Sequence, residues 1–134
     1  MILRKYMSLF GIGSAKIDLV LPKNTFKQGE LLQGYFFLEG GIIEQKLRRV
    51  ECDLVMLDNN GKEEKIIDST TVLKSDSIKA EERNKLSFTY RIPKSLPYSE
   101  ENGVRYLFKT KLTFDQGVES LDEDYITIDW SKAP

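Results

Sequence analysis

From Ala15 onward, bulky apolar residues recur at every second position, the spacing that puts one face of a β-strand against a core. Ile17, Leu19 and Leu21 oppose Lys16 and Asp18. Leu32, Gly34, Phe36 and Leu38 alternate with Gln33, Tyr35, Phe37 and Glu39. Val50, Cys52, Leu54 and Met56 oppose Arg49, Glu51 and Asp53. An Ile66–Lys74 run, rich in threonine and isoleucine, follows the turn signal Asp58-Asn59-Asn60-Gly61 and completes a hairpin. Leu86, Phe88, Tyr90 and Ile92 form the next run, closed by Pro93. Val104, Tyr106, Phe108, Leu112 and Phe114 form the longest, with Arg105, Lys109 and Lys111 on its other side. Ile126, Ile128 and Trp130 share a face in the last. Seven strands, frequent turn signals and almost no helix predict an all-β fold, a two-sheet antiparallel β-sandwich.

The segment 26–41, FKQGELLQGYFFLEGG, organises the pattern. Gly29 gives Lys27–Glu30 the freedom of a tight turn, because a positive φ costs glycine nothing. Leu31–Leu38 then supplies core residues, and Gly40 and Gly41 end the strand. Aromatics on both of its faces predict a central strand covered on both sides. Ser75–Lys85, polar and charged, reads as a surface loop with one helical turn, and the acidic residues before Tyr125 read as another loop.

Before the first strand, Leu3, Tyr6, Met7 and Phe10 fall on one side of a helical wheel, predicting a short N-terminal amphipathic helix. Gly11 and Gly13 stop it. Residues 1–13 thus form a helix and glycine hinge, and 14–134 a single sandwich domain. The helix stripe covers one end or edge of the fold, or else contacts a partner or, with Arg4 and Lys5, a membrane surface.

A chain of 134 residues suits one domain and one core. Twenty basic against twenty-one acidic residues leave none of the basic footprint of a nucleic-acid binder. No apolar run approaches the roughly 20 residues that span a bilayer. A single cysteine, Cys52, forms no internal disulfide and falls on an apolar face, and no leader pattern precedes the domain, so a cytoplasmic location is expected.

The sequence contains no histidine, which removes histidine-based triads, histidine metal ligation and the usual neutral-pH proton shuttle. No enzyme activity and no cofactor are expected. Asp115, Glu119, Asp122, Glu123 and Asp124 cluster, but not at the spacing of an EF-hand. They read as a solvated loop, with calcium binding as the sharper alternative. Tyr35 and Phe37 are candidates for carbohydrate or partner contact. The basic row Arg105, Lys109 and Lys111 is a candidate surface for an acidic partner, or a device that keeps the sheet soluble.

The sequence resembles the sporulation-control proteins of the arrestin-like superfamily. The likeness is carried by GIGSAKIDLVL at residues 11–21, by Gly29, Glu30, Gly34, Gly40 and Gly41 in the second strand and its turns, and by LDEDYITI at Leu121–Ile128. The resemblance implies an immunoglobulin-like sandwich similar to an arrestin N-domain. It also implies a non-enzymatic adaptor that acts in sporulation or cell-division control by binding other proteins. Members of that family usually continue into a second sandwich, so the chain is expected to match their N-terminal half, with an apolar patch that a homodimer would hide.

Overall fold

The computed structural model describes residues 15–41, 45–58, 61–78, 83–99, 103–115 and 119–129. The expected N-terminal helix, with Leu3, Tyr6, Met7 and Phe10, lies outside the described residues, as does Trp130. Among the described residues there are eight strands: β1 (Lys16–Val20), β2 (Thr25–Lys27), β3 (Leu31–Glu39), β4 (Gln45–Asp58), β5 (Glu63–Ile78), β6 (Arg83–Arg91), β7 (Arg105–Phe114) and β8 (Glu119–Asp129). They form a three-stranded sheet in the order β1-β3-β6 and a five-stranded sheet in the order β2-β8-β7-β4-β5. All pairings are antiparallel except that of β2 with β8. The fold is the expected two-sheet sandwich, and β3 is the central strand of its sheet.

The turn into β3 forms as its sequence predicts. Gly29 has φ 77°, Glu30 donates its backbone N–H to Lys27 O at 3.1 Å, and the Glu30 carboxylate accepts the Lys27 N–H at 2.9 Å. Gly34 is needed for a different reason. A Cβ there would stand 2.6 Å from Val20 O, so the end of β1 can cross β3 only over a residue without a side chain. The β4–β5 hairpin turns through Gly61, at φ 86°.

Both sheets bury alternate residues toward one core. Phe36 and Phe88 from the smaller sheet pack at 5.0 Å between ring centroids, and Phe108 from the larger sheet meets Phe88 and Tyr90 edge-on at 5.8 Å. Each such buried side chain contributes roughly 1.5–3 kcal/mol through removal of apolar surface from water.

Three sequence expectations change. Ser75–Lys85 is not one loop: β5 continues to Ile78 and β6 begins at Arg83, because the backbone ladders to β4 and β3 extend that far. The acidic run is not a loop either, since β8 begins at Glu119 and pairs along β7 from Thr113 to Tyr106. The short parallel strand β2 has too few residues to show a period. It is fixed by its partner, through Thr25↔Thr127, Phe26↔Ile128 and Lys27↔Asp129.

Candidate functional site

The basic row expected on β7 is present, but β7 lies inside the five-stranded sheet with acidic residues on its neighbours. Lys109 Nζ is 2.7 Å from Glu64 on β5 and 3.7 Å from Glu123 on β8. Burial pulls the Lys109 ammonium pKa down, but the hydrogen bond and charge of Glu64 and the charge of Glu123 outweigh it and hold the pKa above that of a free lysine. Lys111 is 3.8 Å from Glu119, and the Arg105 guanidinium stacks 4.7 Å over the Tyr125 ring. The two lysines are therefore countered within their own sheet.

A second basic row lies on β6. Arg83, Lys85 and Arg91 share the outward face of the smaller sheet with Ser87 and Thr89, all exposed. The segment 83–91 contains no acidic residue, which was readable in the sequence although the alternation drew attention to β7 instead. Arg83 meets Glu39 at 3.6 Å. Lys85 sits 4.6 Å over the Tyr35 ring, and Arg91 donates to Gly29 O at 2.9 Å. The two latter contacts are to neutral groups, so they orient these cations without neutralising them. Tyr35 and Phe37, half-buried, lie beside them on β3, since Phe37 is directly opposite Lys85 and Tyr35 opposite Ser87.

At the other side of the sandwich the acidic run of β8 meets β1. Carboxylate oxygens of Asp18, Asp122 and Asp124 lie within 4.8 Å of one another. Asp122 is 1% exposed, and its Oδ2 accepts the Leu19 backbone N–H at 2.9 Å. This bond compensates one oxygen of the buried Asp122 carboxylate, since a carboxylate taken from water needs donors and here one is the edge of β1. Asp18 and Asp124 also line an open cavity of about 540 Å³, together with Lys23, Asn24 and Tyr125. Three hard oxygen donors suit calcium or magnesium chemistry, although calcium takes six to eight oxygens and the remainder would come from water or main chain. Asp115, Glu119 and Glu123 do not join this group.

Cys52 is buried as expected, and Thr110 donates its hydroxyl to Cys52 Sγ at 3.6 Å. Burial pushes the thiol up to about 12, partly offset by the Thr110 contact, so the thiolate needed for nucleophilic chemistry is suppressed at neutral pH. Glu30 is held by Lys23 at 2.5 Å, and that contact keeps its carboxyl below the usual glutamate range. Gly29 and Glu30 thus belong to the turn into β3 and Gly34 to its close approach to β1, while Gly40 and Gly41 follow the end of β3 at Glu39. No helix among the described residues is long and apolar enough to cross a membrane.

Comparison with known proteins places these features. The family model described as SpoOM protein (Spo0M) matches residues 3–133. The sporulation-control protein spo0M of Bacillus subtilis (strain 168) is 29% identical over 132 residues, covering 94% of this chain and 51% of that protein. The crystal structure of Spo0M, the sporulation control protein from Bacillus subtilis, superposes with a TM-score of 0.78 at 27% identity, over 88% of this chain and 50% of that one. The chain therefore spans about half the length of these relatives. A Niemann-Pick type C2 protein from Japanese carpenter ant shares the fold alone, with a TM-score of 0.61 at 7% identity over 92% of this chain and 98% of that one.

Proposed function

This chain belongs to the Spo0M family, and on that footing we propose that it is a non-enzymatic, cytoplasmic interaction module that takes part in sporulation control by binding other proteins. The observation that carries the reading is the family match over residues 3–133. The chemistry of the chain agrees with it: the sequence has no histidine, and its one thiol is buried. The adaptor role is tested by crosslinking a tagged form of the chain inside cells of its own source and identifying what is attached. Reproducible protein partners over a tag-only control are expected; recovery of none would overturn the reading.

A second reading, cation binding, is favoured by the approach of Asp18, Asp122 and Asp124 within 4.8 Å. Calcium titrated into the metal-free chain by calorimetry gives saturable heat if the group is a site, and a flat trace removes it.

A further inference from the structure

Among the described residues the sandwich has four edge strands, and three of them are closed to a further strand by different means. β1 is capped, because its Leu19 N–H is already taken by Asp122. β2 has only three residues. β5 is long, but its ladder to β4 shifts register between Val50 and Glu51 and again between Leu54 and Val55, which leaves Val72 and Ile67 as extra residues on β5. Bulges of this kind break the regular row of edge donors and acceptors.

β6 has none of these devices. It pairs with β3 at nine consecutive positions, Arg83↔Glu39 to Arg91↔Leu31, without a register shift, and among the described residues no strand pairs with its other edge. Ile92 donates its N–H to Glu30 O at 2.8 Å, so amides alternate from there: those of Tyr90, Phe88 and Leu86 point to β3, and those of Arg91, Thr89, Ser87 and Lys85 point to the open edge. Two of these four residues, Lys85 and Arg91, thus combine an open main chain with an exposed, uncountered positive charge.

We infer that the open edge of β6 takes an extended acidic segment of a protein partner as a fourth strand of the smaller sheet. The inference rests on the adaptor reading above and names its surface and the chemistry of what binds there. Main-chain hydrogen bonds to Lys85, Ser87, Thr89 and Arg91 supply the attachment, and acidic side chains on the shared face meet Lys85 and Arg91, about 20 Å apart along the strand. Charge also disfavours the two longest registers of pairing with a second copy of this chain. An antiparallel β6–β6 pair centred between Ser87 and Thr89 sets Lys85 opposite Arg91, and one centred on Ser87 sets Arg83 opposite Arg91. Like charges directly opposite are destabilising.

The test uses a fluorescent, end-capped nonapeptide of alternating Glu and Val, titrated with the full chain and followed by anisotropy. Saturable binding is expected, together with at least a tenfold weakening in the double variant Lys85→Glu/Arg91→Glu. Ser87→Pro removes one open-edge donor while leaving the bonds to β3, and is expected to weaken binding at least tenfold with an unchanged circular dichroism spectrum. Should that variant not fold, the same question is put to the peptide by N-methylating the amides on one of its edges, which should abolish binding. Absence of binding by the Glu–Val peptide, equal binding of a Lys–Val peptide, or undiminished binding of the methylated peptides would each overturn the inference. So would a concentration-dependent dimer in light scattering that Ser87→Pro abolishes, since a second copy would then hold the edge. Partners recovered by crosslinking alongside a peptide that fails to bind would refute the β6 edge and leave the adaptor reading standing.

Discussion

The two sides of the sandwich are finished in opposite ways. At the β1 side a buried carboxylate, Asp122, accepts the strand's own edge N–H, and Gly34 lets Val20 O settle against β3. At the β6 side the sheets are joined by a more exposed bond, Tyr90 Oη donating to Asp68 at 2.8 Å, and among the described residues no strand pairs with the outer edge of β6. One side uses its polar groups to complete the fold, whereas the other leaves them for something else. What a charged residue means is therefore set by what its strand lies beside: the lysines of β7 sit among glutamates, and Lys85 and Arg91 do not.

That contrast can be broken by substitution. The largest loss is expected at the sealed side, from Gly34→Ala. The added Cβ meets a backbone oxygen, which cannot rotate away, so the cost should reach about 3 kcal/mol, the upper part of the overpacking range. Urea unfolding measures it, and an unchanged midpoint would mean that β1 is not seated there. Asp122→Ala should follow at about 2 kcal/mol, because the Leu19 N–H loses its acceptor in a buried place. Asp122→Asn keeps an acceptor and should cost less; equal losses would assign the effect to charge instead.

The open side should tolerate change. Tyr90→Phe is expected to cost about 0.5–1 kcal/mol at neutral pH, the net worth of one hydrogen bond. It should also alter the alkaline limb. Burial and the Asp68 hydrogen bond raise the Tyr90 pKa, so its phenol ionises later in the folded chain than in the unfolded one. Stability is intact below the unfolded value of about 10 and falls as pH rises past it. The variant should show a shallower fall in pH-dependent melting. The remainder comes from Cys52, whose thiol titrates near 9.0 when free and at about 12 here, giving the same sign. The smallest effect is the acid one. The Glu30 carboxyl is lowered by Lys23, so its contribution is present above the ordinary glutamate range and is lost as pH falls below it. Glu30→Gln should remove that small slope.

Much of this was legible in the residues. The turn at Gly29, the central place of β3, the hairpin at Gly61 and the inward Cys52 all follow from local chemistry or a period of two. What escaped was non-local. Nothing near Asp122 in the chain says that it will be buried, because its partner, Leu19, is 103 residues away. A run of Asp and Glu then looks like a loop although it is a strand beside β7. The countering of Lys109 is equally remote, since Glu64 comes from β5, 45 residues earlier. The open edge of β6 is a property of sheet order, and sequence period says which residues face inward but not which strand comes last.

The parallel pairing of β2 with β8 has a consequence for how the chain comes to be folded. Thr25 and Thr127 are partners, and 127 − 25 makes them 102 residues apart. Phe26, buried to 1% exposure, therefore has no finished site until β8 has been made. Contacts of such long separation close late and slow folding, so β2 must wait for β8, and synthesis interrupted before Asp129 leaves a half-built sheet for chaperones to shield.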